Sequence, residues 1–447
     1  YDMAAQLKWS DYNLVDEVGD VLLVYNTATG TVLKITDPIY RDQIQTLISH
    51  PVSLDSIPEE LHSCLIEPLL HKRVLVTPDV NEFDLLTYMY NNRIVRNSLL
   101  ELTLVITRQC NYRCVYCYED HLDLPMTPEI YQRILRMIES GYQEGLYSGV
   151  SISLFGGEPL LEYDLVVDFL KAANDLSEKY QKTFSAGATT NGSLLFPERF
   201  LQLHALNCRH FQITVDGMRD THDQYRIATD GNGWDTVINN LKFMASTNLS
   251  FDVTVRTNFN DDVLNHIQEF YEFMSGILDD RFDIYYEDIK HLGGDNDENV
   301  HVLDTIASGL SMVDISSLIG QNHLKSNVCG DRLMPFSHIC QATKYNSFIV
   351  DYDGTLLKCT LDFSNDANRV GHISERGEML INHEKHCKWL TVGFENNECC
   401  KSCKLLPLCY GRRCISSALT SKQISCNPEL ETLLLMEQIK SHYLAAR

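Results

Sequence analysis

The stretch Cys110-Asn111-Tyr112-Arg113-Cys114-Val115-Tyr116-Cys117 lies shortly after the β-prone run Leu102–Ile106. If that run is the first strand of a parallel sheet, the cysteines lie at the carboxyl end of the strand, where α/β sheets carry their active sites. Three thiolates with this spacing can hold three irons of a [4Fe–4S] cube and leave the fourth iron open to a substrate or cofactor. A closed zinc site and an ordinary ferredoxin cluster each need a fourth cysteine, and none lies nearby.

From Leu99 onward the chain repeats a strand, a loop and a helix. After Leu102–Ile106, five further strands are predicted at Ser151–Phe155, Phe184–Thr189, Phe211–Val215, Phe251–Arg256 and Phe282–Tyr286. Thr127-Pro128 starts a predicted amphipathic helix, and Glu162–Tyr180 is a second one. Six βα units at this spacing predict an α/β fold whose parallel sheet is a partial (β/α)6 barrel or is left open. This domain is expected to span residues 99–310.

Tyr118-Glu119 follows the cysteine motif directly, and the whole stretch resembles the signature of the radical S-adenosylmethionine (SAM) enzymes. In that family the open iron binds the amino and carboxylate groups of SAM. One electron from the cluster then cleaves the sulfonium and yields a 5′-deoxyadenosyl radical, which abstracts a hydrogen atom. The resemblance covers about residues 99–290. It implies that Cys110, Cys114 and Cys117 bind the first cluster and form the catalytic centre.

Further residues fall in the order in which that family contacts SAM. Gly156-Gly157-Glu158-Pro159 follows the second strand, where the backbone would approach the methionine moiety and Glu158 would accept a hydrogen bond from its ammonium. Asn191 ends the third strand, and Arg256 and Asn258 end the fifth. Asp216-Gly217, after the fourth strand, matches a family pattern and fits a simple turn equally well.

Ten of the fifteen cysteines lie between Cys329 and Cys426, where the regular alternation has stopped. Their pattern resembles the SPASM extension of radical enzymes that act on peptides, which carries two auxiliary [4Fe–4S] clusters with interleaved ligands. The ligands that the resemblance implies are Cys340, Cys359 and Cys414 for one auxiliary cluster and Cys400, Cys403, Cys409 and Cys426 for the other. Together with the first cluster this makes three [4Fe–4S] clusters. The extension is expected to span residues 329–447.

This region departs from the family pattern at two points. Four residues separate Cys409 from Cys414, where the family usually has three. The cluster at Cys340 either takes Cys329 as its fourth ligand, which we favour, or leaves an iron open to a substrate thiolate. The cysteines left without a role are Cys387 and Cys399.

Residues 1–85 differ from the rest of the chain. Val21–Tyr25 and Thr31–Ile35 are β-prone runs around a turn, and two helical stretches and a short strand follow. This order is typical of a winged-helix module, or of a cap on the main domain. In peptide maturases such a module resembles the small winged-helix protein of pyrroloquinoline quinone biosynthesis, and a precursor's leader segment adds to it as a strand. The resemblance implies a ribosomally made precursor peptide as partner, with its leader on the exposed edge of hairpin 21–35.

The layout resembles maturases that form thioether bridges between a cysteine sulfur and a carbon atom of the peptide. Carbon–carbon cyclophane formation and epimerisation share this architecture and stay open. Sulfatase-type formylglycine maturation is less favoured, because Thr360 follows Cys359 where those enzymes usually have an aspartate. An iron–sulfur electron carrier or sensor is the alternative from another class, and it would need no counterpart of Gly156–Pro159.

The composition limits the partners. The 447 residues carry a formal net charge of −24, which argues against non-specific nucleic-acid binding. No apolar run is long enough to span a bilayer, and the start of the chain lacks the features of a secretory signal, so a cytoplasmic location is expected. In a reducing cytosol, clustered cysteines favour metal binding over disulfides. Cys64 and Cys208 stand apart and are expected to be core residues. The cluster chemistry requires an electron donor such as flavodoxin or ferredoxin.

Overall fold

The computed structural model describes residues 6–96, 98–294, 297–326, 333–337, 339–391, 398–409, 414–419 and 427–444. Cys329 and Cys426, two of the predicted cluster ligands, therefore lie outside the described residues. The chain divides into two compact units: residues 1–96, 329–340 and 392–436 form the first, and residues 97–328, 341–391 and 437–447 form the second. Among the described helices, none has the length and apolar character needed to cross a bilayer.

The first unit contains two small antiparallel sheets. One consists of β2 (Asn13–Val18), β3 (Val21–Asn26) and β4 (Thr31–Ile35), in that order. The other places β1 (Gln6–Trp9) between β5 (Val52–Ser53) and β6 (Leu75–Val76). The predicted hairpin is present as β3 and β4. Because β2, which was not predicted, pairs with β3, the exposed edge of the hairpin is β4 alone.

Helices of the first unit share a core with these sheets. They are α1 (Pro38–Ser49), α2 (Glu59–Leu61), α3 (Glu67–His71) and α4 (Glu82–Val95), with a 3-10 turn at Leu54–Ser56 and a π-helical turn at His62–Ile66. The Asp37 carboxylate caps α1 by accepting hydrogen bonds from the backbone N–H groups of residues 39 and 40, at 2.8 and 3.2 Å. Buried side chains from both sheets and helices, among them Leu22, Ile44 and Leu65, form one apolar cluster.

The second unit is built on a ten-stranded, mostly parallel sheet. Six parallel strands follow one another in chain order: β7 (Leu99–Thr107), β9 (Gly149–Gly156), β10 (Thr183–Thr190), β11 (Cys208–Thr214), β13 (Asp252–Phe259) and β14 (Phe282–Asp288). Beyond β7 the sheet continues with β15 (Ser347–Val350), β16 (Thr355–Leu357), β17 (Arg369–Ile373) and β18 (Met379–Ile381). A separate pair consists of β8 (Tyr112–Cys114) and β12 (Arg226–Ala228). The six predicted parallel strands are confirmed, each within a few residues of its predicted bounds.

Helices alternate with the parallel strands. They are α5 (Pro128–Gln143), α6 (Tyr163–Lys179), α7 (Pro197–Ala205), α8 (Arg219–Tyr225), α9 (Gly233–Ser246), α10 (Asp261–Leu264), α11 (Ile267–Ser275), α12 (Thr305–Gln321) and α13 (His383–Thr391). The helix predicted to start at Thr127-Pro128 is confirmed, and its predicted apolar face, Ile130, Ile134, Met137 and Ile138, is buried. Because the helices connect the strands in parallel, every strand ends in a loop at the same edge of the sheet, the carboxyl edge.

The predicted carboxyl-terminal domain, residues 329–447, is divided between the two units. Strand β15 pairs with β7 in parallel, from Ser347 opposite Glu101 to Val350 opposite Leu104, so residues 341–391 continue the main sheet. The remainder includes α14 (Glu398–Lys401), α15 (Leu406–Cys409) and α16 (Ile415–Leu419), which belong to the first unit. A last helix, α17, spans Pro428–Leu444.

The first unit combines segments that lie far apart in the sequence. Its second apolar cluster consists of Tyr12, Leu86, Tyr90, Ile94, Phe336 and Leu406. The Thr27 hydroxyl donates a hydrogen bond to the Lys404 carbonyl at 2.5 Å, and the Lys404 ammonium donates to the Asn13 carbonyl at 3.0 Å. The amino-terminal module is therefore completed by a segment almost 400 residues later in the chain, with separations of 377 and 391 residues.

Candidate active site at the carboxyl ends of the parallel strands

The cysteine loop begins where β7 ends. Its strand β8 pairs with β12, which places Arg226 opposite Cys114 and Ile227 opposite Arg113. Tyr112 is buried at the base of the loop, and the three cysteines are half-buried. The backbone N–H of Cys117 donates to the Cys114 carbonyl at 3.1 Å, which closes the loop into a tight turn. The three thiols predicted as cluster ligands thus lie together in one loop at the sheet edge.

Burial disfavours the thiolate form of these three cysteines unless a positively charged group binds them. Burial raises the pKa of Cys110 to about 12 and that of Cys117 to about 11, and it also raises the pKa of Cys114. A bound metal reverses that effect, because thiolates are the form that coordinates metal. A tetrahedral zinc ion would hold its sulfur ligands within about 4 Å of one another. In the described part of the chain, no three His, Cys, Asp or Glu side chains converge on a single ion in that way.

Two glycines allow the cysteine loop to lie against the end of β9. The Gly157 N–H donates to the Thr107 carbonyl at 3.0 Å, and the Glu158 N–H donates to the Gln109 carbonyl at 2.8 Å. A Cβ atom on Gly156 would lie 2.1 Å from the Thr107 carbonyl oxygen, and one on Gly157 would lie 2.2 Å from that of Gln109. Gly156 also has a φ of 123°, which side chains disfavour. The Gly-Gly pair is therefore required by close backbone contact.

The Glu158 carboxylate accepts hydrogen bonds from the protein's own groups, and its predicted contact with the methionine ammonium stays a prediction. The carboxylate is fully buried and accepts hydrogen bonds from the N–H groups of Leu160 and Asn191 and from the Thr190 hydroxyl, at 2.8 to 3.1 Å. Burial raises its pKa, and these hydrogen bonds oppose that shift. The acceptor sites of the carboxylate are thus used within the protein. Glu158 ties the end of β9 to the end of β10, and Pro159 follows it into a 3-10 turn.

Asn191 reaches the first cysteine directly. Its side-chain N–H₂ donates to the Asn111 side-chain oxygen at 2.8 Å and lies 3.8 Å from the Cys110 sulfur. Its own side-chain oxygen accepts hydrogen bonds from the N–H and hydroxyl of Ser193. The end of β10 therefore fixes the conformation of the loop at Cys110.

Asp216, whose role the sequence left open, is a fully buried carboxylate at the centre of the site. The Tyr116 hydroxyl, from the cysteine loop, donates a hydrogen bond to it. The Asn258 backbone N–H also donates to Asp216, at 2.7 Å, and the Asn258 side chain donates to the Tyr116 oxygen at 3.0 Å. Arg256 donates from Nε to the Asn258 side-chain oxygen at 2.8 Å. The ends of β11 and β13 are therefore linked to the cysteine loop.

Three polar residues of this network were missed by the sequence reasoning. The Tyr116 hydroxyl, within the cysteine motif, contacts Asp216, Arg226 and Asn258. Arg226 is buried and donates to Tyr116 at 2.9 Å. His222 is buried with Nδ1 accepting from the Asp216 N–H, and burial holds its pKa well below the usual value. The available signal was that Asp216-Gly217 lies near His222 and Arg226 in the sequence. The pairing of β12 with β8 has no sequence signal, because each strand has only three residues.

Arg108, just before the cysteine motif, connects the site to the strand extension of the same unit. The Arg108 guanidinium forms a buried ion pair with Asp351 at 2.6 Å and a second pair with Asp120 at 3.0 Å. Glu119 follows the motif, and one of its carboxylate oxygens is buried with no hydrogen-bond partner among the described residues. Burial raises its pKa to about 7, partly offset by Arg108. This end of the site is thus a second group of buried charges.

The auxiliary cysteines are only partly described. Cys359 is half-buried in the second unit, where its N–H donates to the Asn368 side chain at 2.8 Å. The other described candidates belong to the first unit: Cys340, Cys400, Cys403, Cys409 and Cys414. Within it, the Cys403 N–H donates to the Cys400 carbonyl at 3.1 Å, so these two follow one turn of chain. Their assignment to clusters stays a prediction.

The four cysteines without a predicted ligand role differ in exposure. Cys208 is buried in β11, as predicted. Cys64 was expected to be a core residue, and this is wrong: it is exposed, and its thiol donates to the Glu60 carbonyl one helical turn earlier. Cys387 and Cys399 are exposed.

Comparison with known proteins agrees with this geometry. Residues 104–274 match the Radical SAM superfamily. The chain contains a radical SAM domain. The matched range includes the cysteine loop and the strand ends from β9 to β13, which are the elements that build the site.

Relatives and structural neighbours of this chain have several activities. The radical SAM cyclopropyl synthase TigE of Paramaledivibacter caminithermalis is 24% identical over 350 residues, 72% of this chain and 69% of TigE. A GTP 3′,8-cyclase of Campylobacter jejuni subsp. doylei is 25% identical over 333 residues, 66% of this chain and 93% of the cyclase.

Solved structures share the fold. Streptococcus suis SuiB bound to precursor peptide SuiA is 16% identical with a TM-score of 0.54, covering 95% of this chain and 98% of SuiB. Histidine-tagged anSMEcpe with bound AdoMet is 19% identical with a TM-score of 0.56, covering 78% of this chain and 97% of that chain. At these identities the likeness establishes the radical SAM α/β fold.

Proposed function

We propose that this radical SAM enzyme modifies a ribosomally made precursor peptide. The observation that carries the proposal is the extent of the fold likeness to SuiB, which was solved with the precursor peptide SuiA. That likeness covers 95% of this chain, whereas the likeness to anSMEcpe covers 78%. The difference amounts to about 76 residues, close to the length of the amino-terminal module. A module of this kind suits a substrate that carries its own recognition segment.

In this proposal the leader segment of the precursor adds as a strand to β4, the exposed edge of the hairpin. Strand β3 lies between β2 and β4 and is not available for pairing. Proline at Val32 and, in a second variant, at Leu33 tests this, because a proline removes the N–H that strand addition needs. Of two consecutive residues one N–H points outward, so one variant should lose leader binding while the unit stays folded. Leader binding in both folded variants would contradict the proposal.

The proposed cofactors are SAM and three [4Fe–4S] clusters. Cys110, Cys114 and Cys117 hold the first cluster, which supplies the electron that cleaves SAM when an external donor such as flavodoxin or ferredoxin has reduced it. Asn191, Asn258 and Arg256 hold the surrounding strand ends in place, and the backbone at Gly156-Gly157 leaves room for the methionine moiety. The auxiliary ligands proposed are Cys329, Cys340, Cys359 and Cys414 for one cluster and Cys400, Cys403, Cys409 and Cys426 for the other.

The proposed reaction is the formation of a thioether bridge. The 5′-deoxyadenosyl radical would take a hydrogen atom from a carbon of the peptide, and the cysteine sulfur would bond to that carbon. The thiol proton would leave to solvent, and an auxiliary cluster would accept the remaining electron. Each bridge therefore removes two hydrogens, about 2 Da. Carbon–carbon bond formation is a second candidate, and the similarity to the cyclopropyl synthase TigE favours it.

Two measurements test this function. Changing Cys110, Cys114 and Cys117 to alanine should remove about a third of about twelve irons and all release of 5′-deoxyadenosine. A triple variant that still cleaves SAM would refute the assignment of the site. For the reaction, a short cysteine-rich precursor peptide is to be sought in the neighbourhood of the gene and co-expressed with the enzyme. It should lose about 2 Da per bridge, resist alkylation and survive strong reductant. Alkylatable cysteines in a fully converted peptide would favour the carbon–carbon alternative, and turnover of GTP without the peptide would refute the peptide substrate.

A further inference from the structure

Arg226 is a buried cation fixed beside the cysteine loop. It is the first residue of β12, and the antiparallel pairing with β8 places its Cα opposite that of Cys114. Only 7% of its surface is exposed. A buried guanidinium costs several kcal/mol unless negative groups compensate it. The backbone pairing therefore holds the positive charge of Arg226 in a buried place, where it needs negative groups around it.

The protein supplies only part of that balance. One terminal nitrogen of Arg226 donates to the Tyr116 hydroxyl at 2.9 Å, and this hydroxyl in turn donates to Asp216. The Arg226 guanidinium also lies 5.7 Å from the centre of the Tyr112 ring. The Nε–H is buried and has no hydrogen-bond acceptor among the described residues. A donor without a partner at this depth indicates an acceptor that the polypeptide does not provide.

The three cysteine sulfurs of the loop must be thiolates to bind metal, and Arg226 is placed to balance that negative charge. Arg226 lowers the pKa of Cys110, Cys114 and Cys117, in each case against the larger effect of burial. Burial opposes the charge of Arg226 itself, and its pKa is nevertheless raised, first by Cys114 and then by Tyr116 and Asp216. The other anions around it are Glu158 and Asp216, both fully buried. Arg226 is thus the fixed positive charge common to the whole loop.

We propose that Arg226 is a positioning residue that makes the cluster held by the three cysteines easier to reduce. Reduction adds one electron from an external one-electron donor and breaks no bond, so it adds one negative charge next to the guanidinium. A fixed cation at this distance stabilises the more negative state, and the low local dielectric strengthens the effect. The inference rests on the proposed function, because it requires a cluster in this loop.

The test is the reduction equilibrium of that cluster in the full-length reconstituted enzyme. The relevant reduced signal in electron paramagnetic resonance is the one that the triple alanine variant of Cys110, Cys114 and Cys117 lacks. At a fixed solution potential, Arg226→Gln should lower the ratio of reduced to oxidised cluster about tenfold, which is about 59 mV for one electron. Arg226→Lys keeps the charge and should stay within about threefold of the wild type.

A second variant gives a change of opposite sign. Asp216→Asn removes the nearest buried negative charge, so it should raise the reduced fraction, a result that a merely structural role of either residue does not produce. If Arg226→Gln fails to retain iron, the pair Asp216→Asn and Arg226→Lys decides: a raised and an unchanged ratio support the proposal. Unchanged ratios in Arg226→Gln and Asp216→Asn with full iron content would overturn it. Equal shifts in the Lys and Gln variants would overturn it as well. The proposed function fails separately, if the wild-type enzyme lacks the signal or does not cleave SAM.

Discussion

The loop Cys110–Cys117 and the segment Cys400–Cys409 both carry cysteines at short spacing, but different contacts hold them in place. The first lies among buried polar groups, and the hydrogen bonds between Tyr116, Asp216 and Arg226 determine its conformation. The second is held by apolar packing around Leu406 and by hydrogen bonds of Lys404 to the amino-terminal module. The first segment belongs to the parallel sheet, and the second to the unit that contains the chain's beginning.

This difference teaches what each segment contributes. A buried polar network costs desolvation, and it specifies one geometry because each donor must meet its acceptor. Apolar packing stabilises without such directional demands. The first loop is therefore built for accurate placement of three sulfurs and of the charges around them. The second segment packs on the proposed leader-binding module. A substitution that destabilises one of the two should therefore destabilise the other.

The largest expected effect is that of Gly157→Ala. The new methyl group would lie 2.2 Å from the Gln109 carbonyl oxygen, so the cysteine loop and the end of β9 must separate. We expect loss of the iron bound at Cys110–Cys117 and at least about a tenfold drop in 5′-deoxyadenosine formation. Iron analysis and product chromatography measure both. The matched control is Gly320→Ala, because a Cβ there would meet no atom within 4 Å. Wild-type iron content in Gly157→Ala would show that the loop does not need this close contact.

Leu406→Ala should act on the other segment. The side chain is 1% exposed and packs with Tyr12 and Leu86. Removing it should cost about 2–5 kcal/mol in the free energy of unfolding of the first unit. Hydrogen exchange should become faster at residues 12–27 and 82–94 and stay unchanged at the loop Cys110–Cys117. Leu380→Ala, at a leucine that is 46% exposed, serves as control. Equal acceleration in both cysteine segments would refute their independence.

Acid should weaken the second unit through His386. Its ring is 4% exposed, and burial, helped by Lys358, lowers its pKa to about 4. Between that value and the usual value near 6.5, the unfolded chain binds the proton more readily than the folded one, so stability falls as the pH falls. The loss should reach about 2 kcal/mol at pH 5.

Denaturant unfolding of His386→Gln and the wild type at pH 7 and pH 5 measures this loss. The variant should show a smaller decrease in the free energy of unfolding of the second unit. His372→Gln, which changes an exposed histidine on β17 of the same unit, should behave like the wild type. An identical pH dependence in all three proteins would show that His386 does not titrate differently on folding.

The smallest expected effect is that of Thr27→Val. The substitution keeps the shape of the side chain and removes the hydroxyl that contacts the carbonyls of Tyr12 and Lys404. One buried hydrogen bond contributes about 0.5–1.5 kcal/mol. Thermal unfolding should shift slightly for Thr27→Val and stay closer to the wild type for Thr27→Ser, which keeps the donor. A larger loss in the serine variant would assign the role to the methyl group.

Local patterns predicted the parallel strands well because each strand carries its own apolar signal between turn residues. The helix predicted to start at Thr127-Pro128 was found for the same reason. The cysteine motif and the Gly-Gly pair also follow from short-range spacing. Cys64 shows the limit of such reasoning, since an apolar residue type in a helix does not state which face it occupies.

Features that depend on distant pairing could not be predicted. Arg226 enters the site because a three-residue strand pairs with another of equal length, and such strands have no periodicity to detect. The inward orientation of the Glu158 carboxylate depends on Thr190, a strand away. The division of the carboxyl-terminal region follows from the pairing of β15 with β7, which is fixed only in the folded protein.

The contact between Thr27 and Lys404 can form only late in the synthesis of the chain. With 377 residues between them, a ribosome adding about 5–20 residues per second needs about 20 to 75 s to make the second partner after the first. During that time Tyr12 and Leu86 lack the Leu406 side chain that covers them in the finished unit. The strands β7 to β14 are complete at residue 288. They can therefore pair before the segment that completes the amino-terminal module has been made. Chains that stop early would leave this module with an uncovered apolar surface, the kind of surface that chaperones and proteases bind.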